Sequence, residues 1–193
     1  LHTIRIFSPT PENRSALARR LEEQLRINVT PASAPEEALR GADIVATATN
    51  AQRPVVTGPQ VESGMHLTCI TTLEFDEEAW RRSDAIVTSS GPNGYFNYRT
   101  QAPGMDRLLS DRDKRDGEAR RFDLFREKMH VLSDLLCNRA PGRTSGEQIT
   151  LLDKSWGLGI EFAAVGKLVY DRAKAAGAGH EIPGEWFSQT SHP

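Results

Sequence analysis

Three short stretches of the chain carry hydroxyls and cations at spacings from which a binding site can be built. The first is FSPTPENR, residues 7–14, where Ser8, Thr10 and Arg14 follow a β-branched apolar run. If that run is a strand and a helix begins near Pro11, two hydroxyls, a guanidinium and the positive end of a helix meet at one corner. Such a corner suits a phosphate. It equally suits a plain turn, with Ser8 and Thr10 as turn residues and Arg14 as a solvated helix charge. The second stretch is Thr47-Ala48-Thr49-Asn50, at the end of another apolar run. Small, hydroxylated residues there let a flat cofactor approach the backbone, although Thr is also a common residue of buried strands. The third is Lys154-Ser155-Trp156-Gly157. Ser155 can donate to a carboxamide or a carboxylate, or it can cap a following helix.

The elements that must position these residues alternate. Thr3 to Phe7 reads as a strand, and a helix follows, with Thr10 at the N-cap, Pro11 at the first helical position and Leu17, Leu21 and Leu25 on one face. Ile27 to Thr30 is a second strand, and Ser33 with Glu36 has capping-box spacing for a short helix through Leu39. Asp43 to Thr49 is nearly continuously apolar, as strands covered on both faces are. His66 to Thr71 and Ala85 to Thr88 are further strands, separated by a short helix that Asp76 can cap. This alternation predicts a doubly wound α/β fold with a mostly parallel sheet. Such sheets bind ligands beyond the carboxyl ends of their strands, which is where all three stretches fall.

After residue 90 the pattern breaks. Residues 91–104, rich in Gly, Pro and aromatics, read as a loop, and the densely charged 105–121 as a solvated insertion. Phe122, Phe125, Met129, Leu132 and Leu136 recur at three- and four-residue steps and predict one amphipathic helix. Ile149 to Leu152 is a last strand. A final helix carries Ile160, Ala164, Leu168 and Ala175 and can stop at Gly177 or Gly179. The expected division is therefore a nucleotide-binding part over 1–156 and a helix with its tail over 157–193.

Bulk properties narrow the class. The 193 residues carry a net charge of −2, with 38% hydrophobic and 26% charged residues. No basic field argues for nucleic acid, and no apolar run is long enough for a bilayer. Cys69 and Cys137 read as two reduced thiols, and hence a cytoplasmic location. The scattered histidines show no metal-ligand spacing.

A dinucleotide fold needs a glycine turn, GxGxxG, about 20 residues before the tip of the second strand. The sequence contains no such turn, and Thr3 to Phe7 reads as that second strand. The expectation is a fragment whose first βα unit, with its pyrophosphate cradle, lies elsewhere. No acid stands at the tip after Phe7, so the corner reads as a 2′-phosphate site. NADP is the expected cofactor, with NAD as the alternative.

The order of motifs resembles the ornithine cyclodeaminase/μ-crystallin family. The matching stretches are Ile4 to Arg14, Gly41 to Val55, Gly64-Met65-His66, Glu74-Phe75-Asp76, Leu135 to Arg143 and Ile149 to Glu161. The resemblance implies a Rossmann-type NAD(P) domain within a longer protein. The family's amino-terminal part there builds the substrate and dimerisation domain, to which the final helix returns. By resemblance, Ser8, Thr10 and Arg14 match the adenosine side, and Thr47, Ala48 and Thr49 the strand beside the cofactor. Lys154 and Ser155 match the nicotinamide side. The implied substrate is an amino acid or cyclic imino acid, and the implied assembly of the intact parent a homodimer.

Two departures bear on the chemistry. Cyclodeaminases resembling this chain carry an Asp-bearing loop after the strand at Gly64-Met65-His66, and here Thr71-Thr72-Leu73 stands in its place. The acidic pair after the last Ser-x-Gly turn is reduced to Glu161-Phe162. A reductase of cyclic ketimines needs less acid/base equipment than a cyclodeaminase and is favoured. The alternatives are a non-catalytic NADPH-binding protein of the μ-crystallin type, or a fragment inactive alone. Glu74 and Asp76 are the nearest remaining carboxylates, Asp76 reading as a helix cap.

Overall fold

A computed structural model describes residues 1–51, 53–89, 120–155 and 159–187. The chain divides into two compact units, Leu1–Gly157 and Leu158–Pro193.

In the first unit, β1 (Thr3–Ile6) leads into α1 (Pro11–Leu25), and β2 (Asn28–Pro31) into α2 (Pro35–Leu39). β3 (Ile44–Thr47), β4 (His66–Cys69), α3 (Glu77–Arg82) and β5 (Ala85–Thr88) follow. β6 (Met129–Val131), α4 (Leu132–Leu136) and β7 (Thr150–Asp153) complete it. All described strand pairings are parallel. β1 pairs with β2 alone, and the other five form one sheet in the order β3-β4-β7-β5-β6. The fold is thus α/β with parallel sheets, as the alternation predicts. β7, the last strand in sequence, lies at the centre of the larger sheet.

Among the described residues, one face of that sheet is closed and the other is open along β3. Val45, Leu67, Leu151 and Ile86 sit in neighbouring register and are buried with Phe75, Ala79, Trp80, Phe122 and Phe125 in one cluster. Trp80 is fully buried, its rings 6.2 Å from those of Phe122 and Phe125. On the other face, Ile44 is 58% exposed, and His66, Thr150 and Ala85 beside it are half-buried. The expectation that β3 is covered on both faces is therefore corrected. Its apolar run reflects β-propensity on the open face as much as burial on the closed one.

Other expectations also change. Phe122 to Leu136 is not one helix. Residues 120–124 are helical, Arg126–Lys128 is a 3-10 turn, and Met129–Val131 pairs with β5 as an edge strand before α4 begins. The free edge of β5 outcompetes helical continuity at that point. Arg121, at the end of the stretch read as solvated, is buried and donates to the Thr72 carbonyl at 2.7 Å. The rest of the 91–119 stretch lies outside the described residues. Ser33 pairs with Glu37, not Glu36, because Pro35 takes the first helical position and Ala34 becomes the cap. Asp76 does cap α3, accepting from the Ala79 amide at 2.8 Å.

The second unit holds α5 (Gly159–Ala175), which ends with Gly177 at φ 61°, and a 3-10 turn at Gly184–Phe187. Among the described residues, no helix is long and apolar enough to cross a membrane.

Two substitutions test this packing. Trp80→Ala is expected to cost about 3–5 kcal/mol in denaturant unfolding, as a large aromatic is lost from a closed cluster. Gly64 has φ 82°, and a Cβ there would lie 2.6 Å from the Gly146 carbonyl. Gly64→Ala is expected to cost at least about 1–2 kcal/mol by the same measurement.

Candidate functional site at the carboxyl rim of the sheet

The strand register brings two of the three stretches together. Thr47, Cys69 and Asp153 are successive partners at the carboxyl ends of β3, β4 and β7, so Thr47–Thr49 and Lys154–Ser155 flank the turn after β4. Glu74, in the 3-10 turn Thr72–Glu74, ties this rim together. It is fully buried and accepts from the Thr49 amide at 2.6 Å and from the Ile70 and Thr71 amides at 3.0 and 3.1 Å. Burial pushes its carboxyl up, but the Thr49 hydroxyl and the Thr49 and Thr71 amides outweigh that and hold it below the usual range. Thr47 donates to the Thr68 carbonyl at 3.3 Å, while Ala48 is exposed.

Ser155 lies two residues beyond the end of β7, and the final helix is described from Gly159. Its hydroxyl bonds Asp153 Oδ1 and lies 2.9 Å from Thr72 Oγ1, and its amide donates to Asp153 Oδ1 at 2.9 Å. Lys154 is half-buried, its amide donating to the Cys69 carbonyl at 3.0 Å. Burial pushes the Cys69 thiol far up, so it is inert. Sequence reasoning passed over Asp153 and Thr72. The available signal was an acid closing the apolar run ITLLD directly before Lys154-Ser155.

The corner at Ser8, Thr10 and Arg14 belongs to the separate two-stranded sheet. Arg14 donates to the Ser8 carbonyl at 3.0 Å and sits 5.6 Å over the Phe7 ring. Thr10 is the N-cap of α1, but its hydroxyl makes no capping bond. A hydroxyl left unused beside a guanidinium and a 15-residue helix's amino end fits an anionic group. The corner and the hydroxyl-lined rim stand on different sheets, and each has polar groups of the kind that meet one end of a dinucleotide.

A cleft of about 690 Å³ opens at the opposite, amino end of the larger sheet, lined by Gly41, Asp43, His66, Arg143 and Thr150 among others. Arg143 and His66 there are committed to the fold. Arg143 donates to the Gly64 and Met65 carbonyls at 2.7 and 3.2 Å and to Thr150 Oγ1 at 3.2 Å. His66 Nδ1 lies 2.8 Å from Thr150 Oγ1, and burial, aided by Arg143, favours its neutral ring. The carboxyl rim, not this cleft, carries the arrangement suited to cofactor chemistry.

Glu74→Gln tests the rim. It is expected to cost about 1.5–3 kcal/mol at neutral pH, the range for hydrogen bonds to a charged group. The folded carboxyl titrates below its unfolded value. Its contribution is therefore present above the unfolded value and is lost as pH falls through the folded one. The difference between wild type and variant in urea unfolding is expected to shrink over that acid range.

Comparison with known proteins agrees with this architecture. Residues 1–177 match the model of the ornithine cyclodeaminase/mu-crystallin family. The ketimine reductase mu-crystallin of Macropus fuliginosus is 26% identical over 170 residues, 87% of this chain and 46% of its own length. A Delta(1)-pyrroline-2-carboxylate reductase of Bacillus cereus is 24% identical over 184 residues, 92% of this chain and 51% of its own. The solved Delta(1)-pyrroline-2-carboxylate reductase of Thermococcus litoralis, in complex with NADH and L-proline, superposes with a TM-score of 0.71 at 24% identity. That match covers 94% of this chain and 53% of the other. The chain spans about half the length of the curated relatives it matches. With its parallel α/β sheet, its rim of strand-end hydroxyls and a match over residues 1–177, the chain belongs to the ornithine cyclodeaminase/mu-crystallin family.

Proposed function

We propose that this chain is the cofactor-binding part of an NAD(P)-dependent oxidoreductase that reduces a cyclic ketimine of an amino acid. The observation that carries this reading is the state of Glu74. It is the carboxylate of the turn after β4, and it is consumed by three backbone amides. A cyclodeaminase must add a nucleophile across an imine and expel ammonia, and it needs a free carboxylate to shuttle the protons. Reduction starts from an existing imine and needs only hydride and one proton. The relatives named as ketimine and pyrroline-2-carboxylate reductases support the same reaction class.

In this reading Ser8, Thr10 and Arg14 hold the adenosine end of the cofactor. Thr47, Ala48 and Thr49 line its path, and Lys154 and Ser155 face the nicotinamide. The cofactor supplies the hydride, while the protein orients it and excludes water. The pyrophosphate cradle belongs to a βα unit outside this chain, and the intact protein is a homodimer.

The test is NAD(P)H oxidation by the complete protein with pyrroline-2-carboxylate or piperideine-2-carboxylate, against ammonia release from ornithine. Turnover of an imine without ammonia release is expected. Tight NADPH binding with no turnover would instead assign a nucleotide-binding protein without catalysis. For the cofactor, Arg14→Ala is expected to weaken NADPH more than NADH in calorimetric titration. Equal losses for both would remove the 2′-phosphate assignment and leave NAD.

A further inference from the structure

Asp153 is a buried acid that the reading above does not use. It closes β7 at the centre of the larger sheet and is 2% exposed. Thr72 Oγ1 lies 3.0 Å from Asp153 Oδ2 and 2.9 Å from Ser155 Oγ, and Ser155 Oγ bonds Asp153 Oδ1. Three oxygen–oxygen contacts thus form a closed ring among one carboxyl and two hydroxyls. A hydroxyl carries a single hydrogen. With the carboxylate ionised, two hydrogens serve three contacts, and one contact sets lone pair against lone pair. One further proton on Oδ2 completes the ring: Asp153 donates to Thr72, Thr72 to Ser155, and Ser155 to Asp153 Oδ1.

We propose that Asp153, Thr72 and Ser155 form a ring that stores one proton at the carboxyl rim, with the half-buried Ser155 as its outlet. Burial, which pushes the Asp153 carboxyl up, acts in the same direction. The Ser155 hydroxyl and amide, the Thr72 hydroxyl and the Cys69 thiol pull the other way without reversing that direction. Cys69 on β4 approaches Oδ1 at 3.6 Å as a neutral thiol, and Thr88 on β5 is its register partner. Glu74 in the turn is anionic, which disfavours a second nearby charge of that sign. The Arg121 guanidinium is engaged on the Thr72 carbonyl, and Lys154 follows directly after the strand. Asp153 acts through Ser155 and is a positioning residue.

The use of the stored proton rests on the reductase reading. Hydride from a dihydronicotinamide goes to the imine carbon, and the nitrogen needs a proton. Ser155 Oγ gives its hydrogen to that nitrogen and takes the hydrogen of Thr72, which takes that of Asp153. The C=N bond becomes a C–N single bond, the dihydronicotinamide loses two electrons to become nicotinamide, and Asp153 is left as a carboxylate. Water returns the proton along the same path.

Infrared difference spectra of this chain at neutral pH, wild type against Asp153→Asn, give the first test. A protonated-carboxyl band that shifts in heavy water and vanishes in the variant is expected, and its absence overturns the proposal. Asn copies the neutral acid, since its amide donates to Thr72 while its carbonyl accepts from Ser155. Asp153→Asn is thus expected to unfold at the wild-type urea midpoint, whereas Asp153→Ala unfolds earlier. A midpoint for Asn as low as for Ala would mean an ionised Asp153 and would overturn the ring. In the complete protein, Asp153→Asn is expected to keep NAD(P)H affinity within about twofold and to lose about a hundred-fold in kcat, with the pH profile flattened. Undiminished kcat in that variant overturns the outlet role. A carboxyl band in a wild-type protein that turns over no imine supports the ring and sinks the reductase reading alone.

Discussion

Glu74 brings an ionised carboxylate into a fully buried position, where only dense hydrogen bonding makes the charge tolerable. Its side chain gathers the amides after β3 and β4, and its own carbonyl receives the Val55 and Val56 amides at 2.8 and 3.1 Å. The segment after β3 and the turn after β4 are therefore fastened to one residue. That fastening sets where Thr72 lies, and Thr72 in turn meets Asp153, Ser155 and the buried Arg121. The rim is a consequence of this single desolvated acceptor.

Two carboxyls stand at the rim of this chain in different surroundings. The turn after β4 is short, and its carboxylate is structural. A second carboxyl stands instead at the end of the central strand, where β4 and β5 flank it on both sides. One acid is held ionised by backbone amides and the other is driven toward neutrality by burial, though they share a rim. Environments that push two acids apart in this way separate the roles the two can take.

The described sheets also show where the unit remains open. β1 and β3 do not pair, and each ends its sheet. The face carrying Ile44, His66 and Thr150 is only partly covered. An unpaired strand edge and a half-open apolar face are surfaces that further polypeptide normally covers. A chain spanning about half of its relatives' length is in keeping with that.

Local chemistry was legible in the sequence, because it depends on near neighbours. The alternation of strands and helices, the cap at Asp76, Pro11 at the start of α1 and the glycines that end α5 all follow from side-chain type and short spacing. The hydroxyl-bearing strand ends were legible for the same reason. What the sequence could not decide were competitions between distant partners. The stripe from Phe122 to Leu136 satisfies a helix until the free edge of β5 draws Met129–Val131 into the sheet. Thr72 and Asp153, 81 positions apart, meet only because β7 inserts between β4 and β5. Whether a carboxyl is structural or carries a proton depends on which amides and hydroxyls surround it and how much water remains, and these are properties of the folded chain alone.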